Sequence, residues 1–133
     1  MDKTETCYWT GFSGTNYKYF IYPLQTRFKQ GQQGNYIYAR LDAGGLWVPS
    51  YIGAGDLDES IGFKHPQWPC LRARKVSHIH VHLQRDDNAR QTEESDLLEN
   101  YTQVWFPRGC RQRVNSALHA SQPAAASTRS ELI

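Results

Sequence analysis

The chain has no long apolar run. Its longest apolar stretch is Tyr19-Phe20-Ile21-Tyr22, whereas a helix that spans a bilayer needs about 20 apolar residues. The amino-terminal residues, Met1 to Thr6, also lack the apolar segment of a secretory signal. We therefore expect a protein that neither spans a membrane nor is exported.

The chain also has little excess charge. It carries 15 Lys and Arg residues against 13 Asp and Glu residues, a net charge of +2. This balance is too even for nucleic acid to be bound by bulk attraction, so a phosphate-binding surface would have to be a local patch.

Cysteine is scarce as well. The chain has three cysteines, Cys7, Cys70 and Cys110, and no C-x-x-C pair. Neither a disulfide framework nor a zinc cluster is predicted from this number and spacing. A reducing cytoplasm is the expected compartment.

Among the features that are present, length comes first. A chain of 133 residues with no internal repeat has room for one domain with one core. We predict a single domain over residues 1–115, with an amino-terminal hairpin at 7–24 and a core at 34–110. Residues 116–133 are rich in Ala, Ser and Pro and are expected to form a disordered tail.

A second hairpin is predicted from Gly34 to Gly53. Its first arm carries Gly34-Asn35-Tyr36 and its second arm ends in Tyr51-Ile52-Gly53. Apolar and polar residues alternate with strand period, and Asp42-Ala43-Gly44-Gly45 supplies the turn.

Two helices follow from capping and periodicity. The first is predicted at 56–62, with Asp56 as the N-cap and Gly62 as the stop. The second is predicted at 88–101, where Glu94 lies on the same face as Leu97 and Tyr101. The expected fold is an α/β domain of the α+β type, in which helices pack on a small, mainly antiparallel sheet.

A strand with three histidines, His78, His80 and His82, completes the predicted sheet. The histidines alternate with Ile79, Val81 and Leu83, which is typical of a half-buried strand. Neighbouring side chains on one face lie about 7 Å apart, so three of them fit poorly around one ion. A metal site, a polar sheet face and a phosphate-facing surface remain alternative interpretations.

The order of these motifs resembles the GIY-YIG nuclease superfamily, most closely its small stand-alone bacterial members. The resemblance covers Trp9 to Cys110. It is carried by the following motifs in order: Gly34-Asn35-Tyr36, Tyr51-Ile52-Gly53, Gly55-Asp56-Leu57, and Glu94 followed by Leu97-Leu98.

The resemblance implies an endonuclease that hydrolyses a DNA phosphodiester bond with one divalent cation, Mg²⁺ or Mn²⁺. Glu94 is then the metal ligand, and Tyr36 and Tyr51 are the catalytic tyrosines that position the attacking water. A tyrosine deprotonates water only if a cation lowers its pKa from about 10.

One departure from the family concerns an arginine that contacts the scissile phosphate. The matching position here is Ser60, and no arginine lies between Gly53 and Leu71. The candidates for the phosphate contact are the four basic residues Lys64, His65, Arg72 and Arg74. Two basic clusters, 72–75 and 108–113, are the expected edges of a phosphate-binding face.

Three functions therefore remain open. The first is an active endonuclease in which another cation replaces the missing arginine. The second is a degenerate GIY-YIG domain that binds nucleic acid or a protein partner without cleavage. The third is a metal-binding or structural module centred on the histidine strand.

Overall fold

A five-stranded antiparallel sheet forms the centre of the computed structural model, which describes residues 5–62 and 64–113. The strands are Glu5–Thr10 (β1), Asn16–Pro23 (β2), Gln33–Leu41 (β3), Trp47–Asp56 (β4) and His78–Leu83 (β5), and they lie in the order β1-β2-β5-β3-β4. Three helices, Leu57–Ser60 (α1), Trp68–Ala73 (α2) and Asp87–Asn100 (α3), pack on the sheet, and a 3-10 turn covers Thr102–Val104. The predicted α+β fold is confirmed.

Both predicted hairpins are present. β1 pairs with β2 around a turn at residues 11–15, and β3 pairs with β4 around a turn at residues 42–46. The Asp42 carboxylate accepts hydrogen bonds from the backbone N–H groups of Gly44, at 2.8 Å, and Leu46, at 2.9 Å. A side chain that bonds to the backbone two residues further on stabilises a tight turn, so Asp42 fixes the reversal of the central hairpin.

The histidine strand joins the two hairpins. β5 is hydrogen-bonded to β2 on one side and to β3 on the other. It was predicted to be half-buried, but Ile79 and His80, on opposite faces, are both fully buried. Helices cover both faces of the sheet: α1 and α2 pack on the face of Tyr36 and Ile79, and α3 packs on the other.

The helices depart from the prediction in two places. α1 has the expected N-cap, since Asp56 accepts a hydrogen bond from Asp58 N–H, but it makes only one turn before Gly62 adopts a φ of 99°. α2 was not predicted, because Pro66 to Pro69 was interpreted as a break. Pro69 lies in its first turn, where a missing N–H removes no helical hydrogen bond. α3 matches the predicted helix to within one residue at each end.

The prediction about the cysteines is wrong. Cys70 and Cys110 form a disulfide, while Cys7 is free and half-buried. The bond joins α2 to the segment that follows the 3-10 turn, residues 105–111. Sequence spacing did not predict it, because the two cysteines are 40 residues apart and meet only when both segments reach the β4 edge of the sheet.

The structure covers the membrane prediction and the domain boundaries only within the described residues. No helix within residues 5–62 and 64–113 is long and apolar enough to cross a membrane. The predicted domain end at residue 115 and the predicted tail at 116–133 lie outside the described residues.

Candidate active site

Two glycines allow the strands of the central hairpin to approach their neighbours closely. A Cβ atom on Gly34 would lie 2.6 Å from the carbonyl oxygen of His82. A Cβ on Gly53 would lie 2.6 Å from the ring end and hydroxyl of Tyr36. Any larger residue at these positions therefore has to displace β5 or the Tyr36 ring, which gives both motif glycines a physical reason.

Tyr36 and Tyr51, here called the tyrosine pair, stack with their ring centroids 6.0 Å apart and their planes 11° from parallel. His65 lies across both rings. Its imidazole stands edge-on to Tyr51, with the ring centroids 4.5 Å apart, and its Nε2 lies 3.1 Å from the hydroxyl of Tyr36. His65 was predicted to contact phosphate, but it is buried against the tyrosine pair.

The backbone fixes the protonation of His65. Its Nδ1 accepts a hydrogen bond from the N–H of Gln67 at 3.0 Å. Burial, and then the charge of Arg111, lowers the pKa of His65 to about 4, so the ring is neutral at physiological pH. A neutral imidazole that accepts at one nitrogen carries its proton on the other. His65 Nε2–H therefore donates to the Tyr36 hydroxyl oxygen.

This donation determines what Tyr36 can do. Because its oxygen accepts from His65, the Tyr36 hydroxyl can donate its own proton only to a different group. Burial, and then the neighbouring hydroxyl of Tyr51, raises the pKa of Tyr36 well above its ordinary value. With protein groups alone around it, Tyr36 stays neutral and acts as a hydrogen-bond donor rather than as a base.

Glu94 reaches the same edge of the sheet from α3. Its carboxylate Oε2 lies 3.2 Å from Nη1 of Arg111, and 18% of its side chain is exposed. Burial raises the pKa of Glu94, and Arg111 acts in the opposite direction. Arg111 connects Glu94 to the tyrosine pair, because its guanidinium contacts both the Glu94 carboxylate and the Tyr51 ring.

Arg111 is the cation of this site. Its guanidinium carbon lies 5.6 Å from the ring centroids of both Tyr51 and Trp105, and its Nη1 donates to the carbonyl oxygen of Ile52 at 3.1 Å. Its Nε is buried and has no hydrogen-bond partner among the described residues. The guanidinium thus retains donor capacity that the protein does not use.

The other predicted phosphate ligands make no described contact with this site. In the parts of the chain that the structure describes, no hydrogen bond, ion pair or ring contact joins Lys64, Arg72 or Arg74 to the tyrosine pair or to Glu94. Lys64 and Arg72 are exposed, and Arg74 donates to the backbone carbonyl of Pro107. Ser60, at the position expected to hold arginine, has its hydroxyl facing Gly55.

The three histidines of β5 do not form a common site. His80 Nδ1 accepts a hydrogen bond from the Trp9 indole at 3.0 Å, His82 lies 3.3 Å from Glu93, and His78 contacts Ser77. Among residues 5–62 and 64–113, no group of three or more His, Cys, Asp or Glu side chains is arranged to hold a metal ion. The structure gives no support to a multi-histidine metal centre.

Comparisons of the chain with protein-family models, curated proteins and solved structures find no match. The resemblance to the GIY-YIG superfamily thus remains a prediction carried by the residues.

Sequence reasoning missed the place of Arg111 in the site. It assigned Arg111 to a basic cluster at the edge of a surface. A signal was available, because Glu94 lies on the inward face of its helix, and a carboxylate there requires a partner. Which cation pairs with it depends on the path of residues 105–111, and strand and helix periodicity do not describe that path.

Proposed function

We propose that the chain is a GIY-YIG-type endonuclease that hydrolyses DNA phosphodiester bonds with one divalent cation, Mg²⁺ or Mn²⁺. The observation that carries the proposal is the convergence of the tyrosine pair with three further side chains at the β4 edge of the sheet. These side chains are His65, Glu94 and Arg111. Two phenols, a carboxylate and a guanidinium in one site match the needs of phosphodiester hydrolysis, in which a water must be oriented and a phosphate held.

Tyr36 orients the attacking water in this proposal. His65 holds the Tyr36 oxygen, so the phenolic hydrogen is available to a water molecule beside the phosphate. Tyr51 packs against both residues and limits the rotation of the two rings. Restricting a reacting group to one orientation lowers the entropy cost of the chemical step.

Glu94 is the residue that would hold the divalent cation. Mg²⁺ and Mn²⁺ accept oxygen ligands and keep several waters, so one partly exposed carboxylate can serve as their protein ligand. When bound, such a cation lowers the pKa of a water and polarises a phosphate oxygen. Because Arg111 pairs with the same carboxylate, the guanidinium has to share Glu94 with the cation.

Arg111 contacts the scissile phosphate in place of the arginine that is absent at Ser60. Its planar guanidinium suits phosphate oxygens better than an ammonium group does. Removing a donor aimed at the developing charge costs roughly a hundredfold to a thousandfold in rate. Arg111→Lys is therefore expected to reduce cleavage by a factor of this order, because lysine keeps the charge and loses the fork.

The Glu94–Arg111 ion pair also favours the second candidate function, a degenerate domain that binds nucleic acid or a protein partner without cutting. A carboxylate already neutralised by a guanidinium at 3.2 Å needs no metal for its stability. In that case the tyrosine pair and His65 serve as packing residues.

Cleavage of plasmid DNA separates the two functions. Wild-type protein is expected to cut in Mg²⁺ or Mn²⁺, and Glu94→Gln is expected to abolish cutting. Glu99→Gln is the matched control, because Glu99 is exposed on the same helix, and it should cut like the wild type. If folded wild-type protein cuts at no concentration of either cation, the nuclease proposal is refuted. A DNA gel shift retained in Glu94→Gln would then support the degenerate domain.

The proposed compartment is the cytoplasm, where DNA is the available substrate. The Cys70–Cys110 disulfide makes this part of the proposal testable, because cellular thiol systems keep most cytoplasmic cysteines reduced.

A further inference from the structure

A cavity of about 500 Å³ is lined by Ser50, the residue before Tyr51 on β4. Four cationic side chains line it: Arg40 from β3, Arg74 and Lys75 from the end of α2, and Arg108 from the segment after the 3-10 turn. The remaining lining side chains include Ser50 and Gln103, and no lining residue is acidic. We call this cavity the basic cradle.

The charges of the basic cradle are not neutralised within the described chain. The ion pairs found among residues 5–62 and 64–113 are His82–Glu93, Arg90–Asp87 and Arg111–Glu94, and none of them involves a cradle residue. Four like charges around one concave surface repel each other and produce a locally positive potential. Such an arrangement is stabilised by an anion bound from solution.

The fold holds two of the cradle's segments together. Arg74 donates a hydrogen bond to the carbonyl of Pro107, and the Cys70–Cys110 disulfide ties α2 to the segment that carries Arg108. The positions of the cradle side chains are therefore set by the backbone segments that carry them. The cradle is a gap between fixed backbone segments at the β4 edge.

Lys75 provides an independent observation. It has a φ of 62°, the left-handed conformation that usually follows a helix end and strongly favours glycine. A lysine at such a position is strained relative to glycine. Strained backbone positions cluster at active sites and ligand clamps, so the strain agrees with a binding role for this part of the cavity wall.

We propose that the basic cradle binds the sugar–phosphate backbone of the nucleic acid strand that enters the candidate active site. The inference rests on the proposed DNA substrate and extends it to the phosphates flanking the scissile one. Ser50 lines the cradle and Tyr51 is the next residue of β4. Neighbouring strand residues are about 3.3 Å apart, close to the rise of about 3.4 Å per nucleotide of one DNA strand, so a strand at the tyrosine pair has adjacent phosphates within reach of the cradle.

The first test measures binding of a short DNA duplex by fluorescence anisotropy in EDTA over a range of salt concentrations. The variant is Arg40→Gln/Lys75→Gln/Arg108→Gln. Arg74 is left in place because its hydrogen bond to Pro107 is structural. Each cation that neutralises a phosphate contributes about 0.9 to the slope of log affinity against log salt, so the slope should fall by about 3.

The matched control changes three exposed cations outside the cradle, Lys18→Gln/Arg27→Gln/Arg85→Gln, with the same loss of net charge. Its salt slope should stay at the wild-type value. Equal losses in the two triple variants would mean that bulk charge drives binding, and would overturn the cradle. Strong binding of inorganic phosphate or a mononucleotide, with no gain for a longer strand, would also overturn it.

The second test uses Lys75→Gly. Glycine relieves the left-handed strain, so the urea midpoint of unfolding should rise while the salt slope for DNA falls by about 1. A rise in stability with no change in DNA binding would assign Lys75 a purely structural role and remove it from the cradle. Binding is measured in EDTA and does not require cleavage, so these tests examine the cradle even if the protein does not cut DNA. The plasmid assay alone tests the nuclease proposal.

Discussion

Reduction of the Cys70–Cys110 disulfide is expected to lower the stability of the domain substantially. The two cysteines close a loop with a sequence separation of 40. In the chain-entropy model, a loop of this length restricts the unfolded chain by about 4 kcal/mol. Small domains have a total free energy of unfolding of only about 5–15 kcal/mol, so the bond accounts for a large part of it.

Urea unfolding followed by tryptophan fluorescence measures this effect. With a denaturant slope of about 2 kcal/mol/M, a loss of about 4 kcal/mol lowers the urea midpoint by about 2 M. The comparison is between oxidised protein, reduced protein and Cys70→Ser/Cys110→Ser. Cys7→Ser is the control, since Cys7 is outside the disulfide. Coincident curves for oxidised and reduced wild type would refute the reasoning.

Three further predictions follow from the structure. Gly53→Ala should destabilise the domain by about 1–3 kcal/mol and reduce any cleavage, because the added Cβ would lie 2.6 Å from Tyr36. Gly44→Ala is the control and should be neutral in the same assays, because its Cβ would contact only Asp42, at 3.5 Å. Burial, and then His78, lowers the pKa of His80 to about 4, so the unfolded chain binds a proton at His80 that the folded chain does not bind. This residue alone should lower the free energy of unfolding by about 3 kcal/mol as the pH drops from about 6.5 to about 4, and His65 should contribute a similar amount. Urea midpoints measured across this pH range test the prediction. His80→Gln should remove about half of the dependence of the midpoint on pH, because His65 titrates in the same range. An unchanged pH dependence in His80→Gln would contradict the assignment. Finally, alkylation of unreduced cell lysate should label all three cysteines if the protein resides in a reducing cytoplasm, whereas labelling of Cys7 alone would place it in an oxidising compartment.

Much of the fold was predictable because its signals are local. The alternation in β3 and β5, the turn residues around Asp42, and the N-caps Asp56 and Asp86 each depend on backbone geometry within a few residues. These signals gave the two hairpins and the long helix within two residues of their observed ends at most positions. α2 was missed because prolines at 66 and 69 were interpreted as breaks, although a proline in the first turn is compatible with a helix.

The residues of the candidate site also differ in how far local sequence signals predict them. The tyrosine pair and Glu94 were predicted from motif order; in the structure the two tyrosines stack, and Arg111 lies between Tyr51 and Glu94. His65 was chosen as a phosphate ligand and instead donates to Tyr36, because the loop between α1 and α2 turns it inward. A charged or polar side chain on an irregular segment has no periodicity from which its direction can be predicted.

Local sequence signals specify the strands, the long helix, the glycines that let the strands approach each other, and the residues available for chemistry. The Cys70–Cys110 disulfide, the Arg111–Glu94 ion pair and the cavity lined by four cations depend on how distant segments pack. The difference lies in the range of the interactions. Secondary structure follows from interactions over a few residues, whereas these three arrangements require α2, α3 and residues 105–111 to pack at the same edge of the sheet.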